Sequence, residues 1–143
     1  MSSEEKSELL NQCSQAEKVA RENDVILCTE CHKNTFTERL EDSILLMKTV
    51  GSPYFKTYWQ PLEIKSEEEN LSMAKAMAKY TEHIHVFNWK DKEKLPLELA
   101  TSEWQAYLGT FTTPKTLLLE FMPDDKIETL KTDANALRKI IRR

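Results

Sequence analysis

The sequence is short of glycine, with two in 143 residues, Gly51 and Gly109. A glycine-rich phosphate cradle of the Walker or dinucleotide type cannot be assembled from two residues so far apart. Long apolar runs are missing as well: the longest are a few residues, such as Leu117 to Leu119, against the ~20 that span a bilayer, so no transmembrane helix and no membrane partner are expected. There is no basic excess, since 20 Lys+Arg against 24 Asp+Glu leave a net charge of -4. That balance argues against nucleic acid as a partner, because phosphate neutralisation draws on a basic stripe. The first eight residues, Met1 to Glu8, carry neither the basic start nor the apolar stretch of a signal peptide, and a cytoplasmic location is expected. In that setting three cysteines read as reduced thiols, not as a disulfide framework. What remains, 40% hydrophobic residues over 143 positions, suits one soluble domain, 1–143, with a core of ordinary size.

Along the chain, Leu9, Cys13, Ala16 and Ala20 recur at helical spacing, and Val25–Thr29 then reads as a short buried strand. Thr35 with Glu38 predicts a capping box ahead of a stripe of Leu40, Ile44 and Met47, closing near Gly51. Phe55–Trp59 is the second strand. Ser66 with Glu69 predicts another capping box before Met73, Met77 and Tyr80, and the run Glu67–Glu69 reads as an acidic first turn, not a metal trap. Ile84–Phe87 is the third strand, a short helix around Trp104 and Leu108 is expected to end on a left-handed cap at Gly109, and Lys115–Phe121 is the fourth strand. A last helix runs through Ile127, Leu130, Ala134, Leu137 and Ile141. One helix followed by four strand–helix units of about 30 residues demands a parallel sheet with crossover helices, the α/β class.

The strands end in side chains that buried parallel strands would not select for packing: Glu30, Gln60, His85 and Glu120. In parallel α/β sheets and barrels the carboxyl ends of the strands form the functional face. Two carboxylates, an imidazole and an amide oxygen on one rim suit an oxygen-rich divalent ion, Mn, Mg or Co. Paired carboxylates could also remove and return a proton beside a carbonyl whose developing charge the metal stabilises. The ordinary alternative for each strand-end carboxylate is a helix-cap partner or a solvated rim residue. Other strings compete. Cys28-Thr-Glu-Cys31-His32 spells a c-type haem attachment motif, which belongs to exported proteins. Strand alternation puts Cys28 and Glu30 on one side and Cys31 on the other, so a redox dithiol fails, and Cys28 reads as a small hydrophobe. Zinc on Cys28, Cys31, His83 and His85 would interrupt two apolar strands. Trp89, past the third strand, can stack on a sugar ring or pack.

These same residues carry a resemblance. Leu27-Cys-Thr-Glu-Cys-His-Lys-Asn-Thr-Phe-Thr37 resembles the E-x-H-x-x-T-x-T segment of the xylose isomerase-like TIM barrels, the sugar phosphate isomerase/epimerase superfamily. Tyr58–Pro61, His83–Trp89 and Leu118–Phe121 resemble its next three strand ends in order, so the likeness runs from Asp24 onward. It implies Glu30 and Glu120 as metal ligands and acid/base pair, and His85 as the imidazole ligand. Gln60 stands where the family has Asp, and Glu63 where it often has His. His32, Glu63 and Trp89 would contact a sugar or sugar phosphate.

A whole barrel takes about 250 residues and eight strands. This chain has four and matches strands five to eight, a half-length (β/α) barrel. Four parallel strands leave two unpaired edges, so the resemblance implies a homodimer or a partner half-barrel. The alternative reading is a non-catalytic truncated fragment or carbohydrate-binding module.

Overall fold

The computed structural model describes residues 1–113 and 115–142. Helix α1 spans Ser3–Glu22 and opens on a reciprocal capping box: Ser2 Oγ accepts from the Glu5 amide, and the Glu5 carboxylate accepts from the Ser2 amide. Two donors that helix geometry leaves without partners are thereby satisfied. The far end of α1 closes on Asp24 at φ +54°, with the Val25 amide donating to the Ala20 carbonyl at 2.9 Å, the outer bond of a Schellman closure. Val25 is thus committed to the helix end, and strand β1 covers Leu27–Glu30 instead of the expected Val25–Thr29. Val25 and Ile26 are left 56% and 45% exposed.

The expected Thr35/Glu38 capping box does not form. Thr35 Oγ1 accepts from the Thr37 amide at the head of a 3-10 turn, Phe36–Glu38, while the Glu38 carboxylate accepts from the Asn34 amide. Helix α2 (Leu40–Val50) begins later, behind Arg39, with no side-chain cap. It ends on Gly51 at φ +60°, where an L side chain would be strained. The left-handed cap expected at Gly109 is absent: that residue has φ -64°.

Strand β2 is Phe55–Trp59. Helix α3, Glu67–Met77, carries the expected reciprocal box, Ser66 with Glu69, and its three glutamates occupy the first turn, where the positive end of the helix dipole favours them. Strand β3 runs Thr81–Val86, beginning earlier than the expected Ile84. A two-residue hairpin follows, β4 (Trp89–Lys90) with β5 (Glu93–Lys94), turning through Asp91 and Lys92 at φ +51° and +67°. Two successive positive φ values are the requirement of a type I′ turn. A 3-10 turn at Leu97–Ala100 leads into α4 (Thr101–Leu108), and β6 (Thr116–Leu119) and α5 (Ile127–Ile141) complete the chain. Strand β6 is shorter than the expected Lys115–Phe121 because Phe121, at φ +58°, has left extended geometry.

The sheet order is β1-β2-β3-β6, parallel throughout. Pairing of β2 with β3 runs Thr57 to Thr81 and then Tyr58 to His83, so Glu82 is an extra residue, a bulge that reverses which face later side chains take. Among the described residues five helices contact one another in chain order, α1 to α5, and one core draws Leu10 and Cys13, Met47, Met77, Trp104 and Ile140 from them against Phe55, Trp59, Ile84 and Val86. They therefore form a single layer on one side of the sheet. Trp59 anchors this core edge-on to Tyr107 and Trp104, with ring centroids 5.3 and 6.3 Å away, and Trp104 Nε1 donates to the Phe87 carbonyl at 2.8 Å. The other sheet face carries Cys28, Glu30, Lys56, Tyr58, His83, His85 and Leu118, as the register dictates. Four parallel strands alternating with helices are consistent with half of a TIM-barrel-like fold. Among the described residues no helix is long and apolar enough to cross a membrane.

The Ser66/Glu69 box gives a direct check of this local account. Ser66→Ala is expected to lower stability by about 1 kcal/mol in urea denaturation, with the sheet retained by circular dichroism.

Candidate metal centre

The parallel register sets Glu30 opposite Tyr58 and His85 opposite Leu118, and the Glu120 amide extends the ladder by donating to the Val86 carbonyl at 3.0 Å. Gln60 follows β2 directly and is buried. All four side chains meet at one ring atom. His85 Nδ1 lies 2.9 Å from Gln60 Oε1, 3.3 Å from Glu120 Oε2 and 3.5 Å from Glu30 Oε1. Ligand atoms of Glu30, His85 and Glu120 all fall within 4.8 Å of one another.

This arrangement fits a divalent cation. Adjacent ligands of an octahedral ion at about 2.1 Å sit about 3 Å apart, and the three nitrogen–oxygen separations already lie close to that value. Glu120 Oε2 is buried and, although near His85, is not aligned for a hydrogen bond with any partner. A buried carboxylate oxygen left without a donor is the kind of deficit a cation fills. Burial raises the Glu120 pKa; His85 opposes that rise, Glu30 adds to it, and His32 lowers it. With an ion bound, Nδ1 would have to offer its lone pair, so a proton on that atom and the ion compete for one place.

Local structure holds Glu30, His85 and Glu120 in place. Thr37, buried behind β1, donates through Oγ1 to the Glu30 carbonyl at 2.5 Å, and Ser43 Oγ donates to the Thr37 carbonyl at 2.8 Å. Thr35 Oγ1 donates to the His32 carbonyl at 2.7 Å. The two threonines of the E-x-H-x-x-T-x-T string thus fasten the loop that leaves the site. Tyr58 packs at a tilt against both His83 and His85, with centroids 4.8 and 4.9 Å away, and limits rotation of the imidazole. Phe121 turns the chain immediately after Glu120 and packs on Phe87 and Trp89 at 5.4 and 4.7 Å. A bulky residue with positive φ is uncommon and costs roughly 1–3 kcal/mol.

Beside Gln60 a pocket of about 130 Å³ is lined by His32, Lys33, Glu63, Phe87, Trp89 and Phe121 among others. Each of the three residues expected to contact substrate is there. His32 is exposed, with Nδ1 2.8 Å from the Lys33 carbonyl. Glu63 pairs with Lys33 through Oε1, while Glu63 Oε2 and Trp89 Nε1 are buried without partners. Lys33 also sits over the Trp89 ring, 5.4 Å from its centroid. Lys33 and Phe121 escaped the sequence reading. The positively charged neighbour of a ligand-type His was visible for Lys33, whereas nothing in the string Glu120-Phe121 announces a left-handed residue.

The competing cysteine sites do not assemble. Cys31 is fully buried, 3.5 Å from Thr57 Oγ1, its pKa pushed up by burial to about 11. Cys28 lies half-buried on the open sheet face. Among the described residues the one cluster of His, Cys, Asp and Glu with metal-ligand spacing is Glu30, His85 and Glu120.

Fold and site together define a parallel α/β unit with a carboxylate–imidazole rim at the carboxyl ends of its strands. The whole chain superposes on part of a solved structure, that of the probable 3-DHS dehydratase AsbF of Bacillus anthracis, described as involved in petrobactin synthesis, with a TM-score of 0.73 and 16% identity. The match covers 100% of this chain and 59% of that one, so this chain spans less than two thirds of its neighbour's length. At that identity the likeness concerns the fold. No family model and no curated protein matches the chain.

A carboxyl group whose pKa is raised on folding destabilises the native state above that pKa, and the penalty vanishes below the unfolded value of about 4.3. Glu120→Gln is therefore expected to raise the melting temperature of metal-free protein at pH 7, by a margin that shrinks as pH falls toward 4. A margin independent of pH would show that Glu120 is not desolvated as described.

Proposed function

We propose that the chain is the metal-bearing half of a xylose isomerase-like (β/α) barrel, corresponding to strands five to eight, and that its rim transfers a proton next to the carbonyl of a sugar or sugar phosphate. The observation that supports this most is the convergence of Glu30, Gln60, His85 and Glu120 from four successive strands onto one point at the spacing of cation ligands. A Mn, Mg or Co ion held by these four residues would supply Lewis-acid stabilisation of the oxyanion that develops as the proton leaves. The remaining chemistry falls to the chain. Glu30, the more exposed carboxylate, takes the proton; Glu120, whose burial favours its protonated form, is suited to return one. Trp89 Nε1 and Glu63 Oε2, a donor and an acceptor without partners, are suited to substrate hydroxyls, and His32 and Lys33 to a phosphate or carboxylate.

The neighbour's description as a probable 3-DHS dehydratase suggests a second outcome of the same first step. After proton removal an isomerase or epimerase returns the proton, whereas a dehydratase expels a hydroxyl as water. Gln60, neutral where the resembled family has Asp, removes one negative charge from the ligand set and should weaken cation affinity.

Calorimetric titration with MnCl2 tests this reading. Binding is expected to weaken at least tenfold in Glu120→Gln and to tighten roughly tenfold in Gln60→Asp, as one added charge in a partly solvated site implies. No binding of Mn or Mg up to millimolar concentration would favour the non-catalytic alternative. For chemistry, deuterium uptake from solvent beside the carbonyl of ketoses, ketose phosphates or 3-DHS is expected to disappear in Glu30→Gln.

A further inference from the structure

The pocket beside Gln60 adjoins a second one, of about 250 Å³, across Glu63 and Trp89, which line both. Every residue around this second cavity falls between 61 and 104, in the segments that leave β2 and β3. Neither outer strand of the sheet contributes a wall. Two buried asparagines set its shape. Asn70 accepts from the Leu62 amide at 2.9 Å and donates to the Leu62 carbonyl at 3.1 Å, which holds the turn after β2. Asn88, 4% exposed, donates through Nδ2 to the Pro96 carbonyl at 2.9 Å. Among the described residues its Oδ1 accepts no hydrogen bond, which leaves an acceptor for the cavity that Asn88 lines.

Charge decides what can enter. Glu63 pairs with Lys33, while Glu103 accepts from Lys90 Nζ at 2.7 Å and from the Tyr107 hydroxyl at 2.8 Å. The Glu103 hydrogen bond raises the Lys90 pKa against the effect of burial, and Glu67 and Asp91 lie close enough to add to that rise. Lys65 is the remaining cation on the wall. Four carboxylates, those of Glu63, Glu67, Asp91 and Glu103, thus face three ammonium groups, those of Lys33, Lys65 and Lys90. An anion such as phosphate would meet more negative wall than positive. A free amine would have to displace Lys90 from Glu103. Near-balanced donors and acceptors suit a group that gives and takes hydrogen bonds without carrying charge, as hydroxyls do. From this we infer that the cavity lined by Glu67, Asn88, Lys90 and Glu103 binds a further sugar ring, carried by the sugar whose carbonyl lies at the rim, so that the substrate is a glycosylated ketose and not a monosaccharide phosphate. Which ring reacts rests on the proposed rim chemistry, whereas the ligand class of the cavity follows from its own walls.

The test titrates the isotope-labelled full chain, free of metal, with lactulose, a ketose that carries a second hexose ring, and with fructose, following backbone amide signals by NMR. Lactulose is expected to bind at least tenfold more tightly than fructose, as two further hydrogen bonds imply. It is expected to shift the amides of Glu67, Asn88 and Lys90, which fructose leaves in place. Glu67→Leu removes one acceptor at the exposed start of α3 and keeps the Ser66/Glu69 box. That variant is expected to bind lactulose roughly fivefold more weakly, with circular dichroism unchanged. Equal affinity for the two sugars would overturn the inference, as would lactulose shifts confined to His32 and Lys33, or inorganic phosphate or ethylenediamine taking Glu67 and Asn88 in preference. No readout depends on metal or turnover. A chain that binds Mn but not lactulose loses this cavity's assignment alone, and one that binds lactulose here but not Mn keeps it and loses the rim chemistry.

Discussion

Between Thr57 and Tyr58 the pairing of β2 with β3 skips Glu82, and the orientation of everything downstream follows from that skip. In a regular register, Thr81 on the helix-facing side would put His83 and His85 on that side too, inside the apolar layer. The bulge restores Ile84 and Val86 to the core, where both are fully buried, and turns His83 and His85 to the face that carries Glu30 and Tyr58. Because β6 pairs in register with β3, Leu118 and Glu120 fall on the same face. One extra residue thus satisfies the core and assembles the rim together, the dual use for which bulges beside functional sites are known.

Several unrelaxed features gather at the rim. Glu120 has a buried oxygen without a donor, Phe121 holds a bulky side chain at positive φ, and His85 Nδ1 faces three oxygens that one proton cannot serve equally. The surroundings over-determine these features. Thr37 and Ser43 fasten the β1 exit, Tyr58 packs against the imidazole, and the Phe87–Phe121–Trp89 cluster packs around the turn after Glu120. Strain of this kind persists only where the surrounding packing over-determines it.

Much of this was legible in the sequence, and the reasons are local. Four β-rich segments alternating with helical stripes specify a parallel sheet, and each ends in a polar residue that packing does not need, so Glu30, Gln60, His85 and Glu120 stood out from their positions. What stayed hidden depends on geometry without a residue signature. Glu82 looks like any strand residue, and its bulge exists because Ile84 and Val86 must face the helices. The 89–94 hairpin turns through Asp91-Lys92, not the Asn-Gly or Asp-Gly that would advertise it. Gly109 was the expected left-handed cap, yet Gly51 holds that conformation, because α2 must reverse sharply into β2 while α4 runs on in right-handed geometry through Gly109. The Lys33–Glu63 pair joins residues 30 apart, a contact that only the pairing of β1 with β2 creates.

The proposed function requires that the four strand ends form a cation site before any cation arrives. Anomalous diffraction from a crystal soaked in MnCl2 addresses it most directly. The account predicts a single strong peak among Glu30, Gln60, His85 and Glu120, at about 2.0–2.3 Å from their ligand atoms, with His85 Nδ1 released from Gln60 to face the ion. A rim without a peak, its His85–Gln60 hydrogen bond intact while manganese settles on surface carboxylates elsewhere, would contradict it.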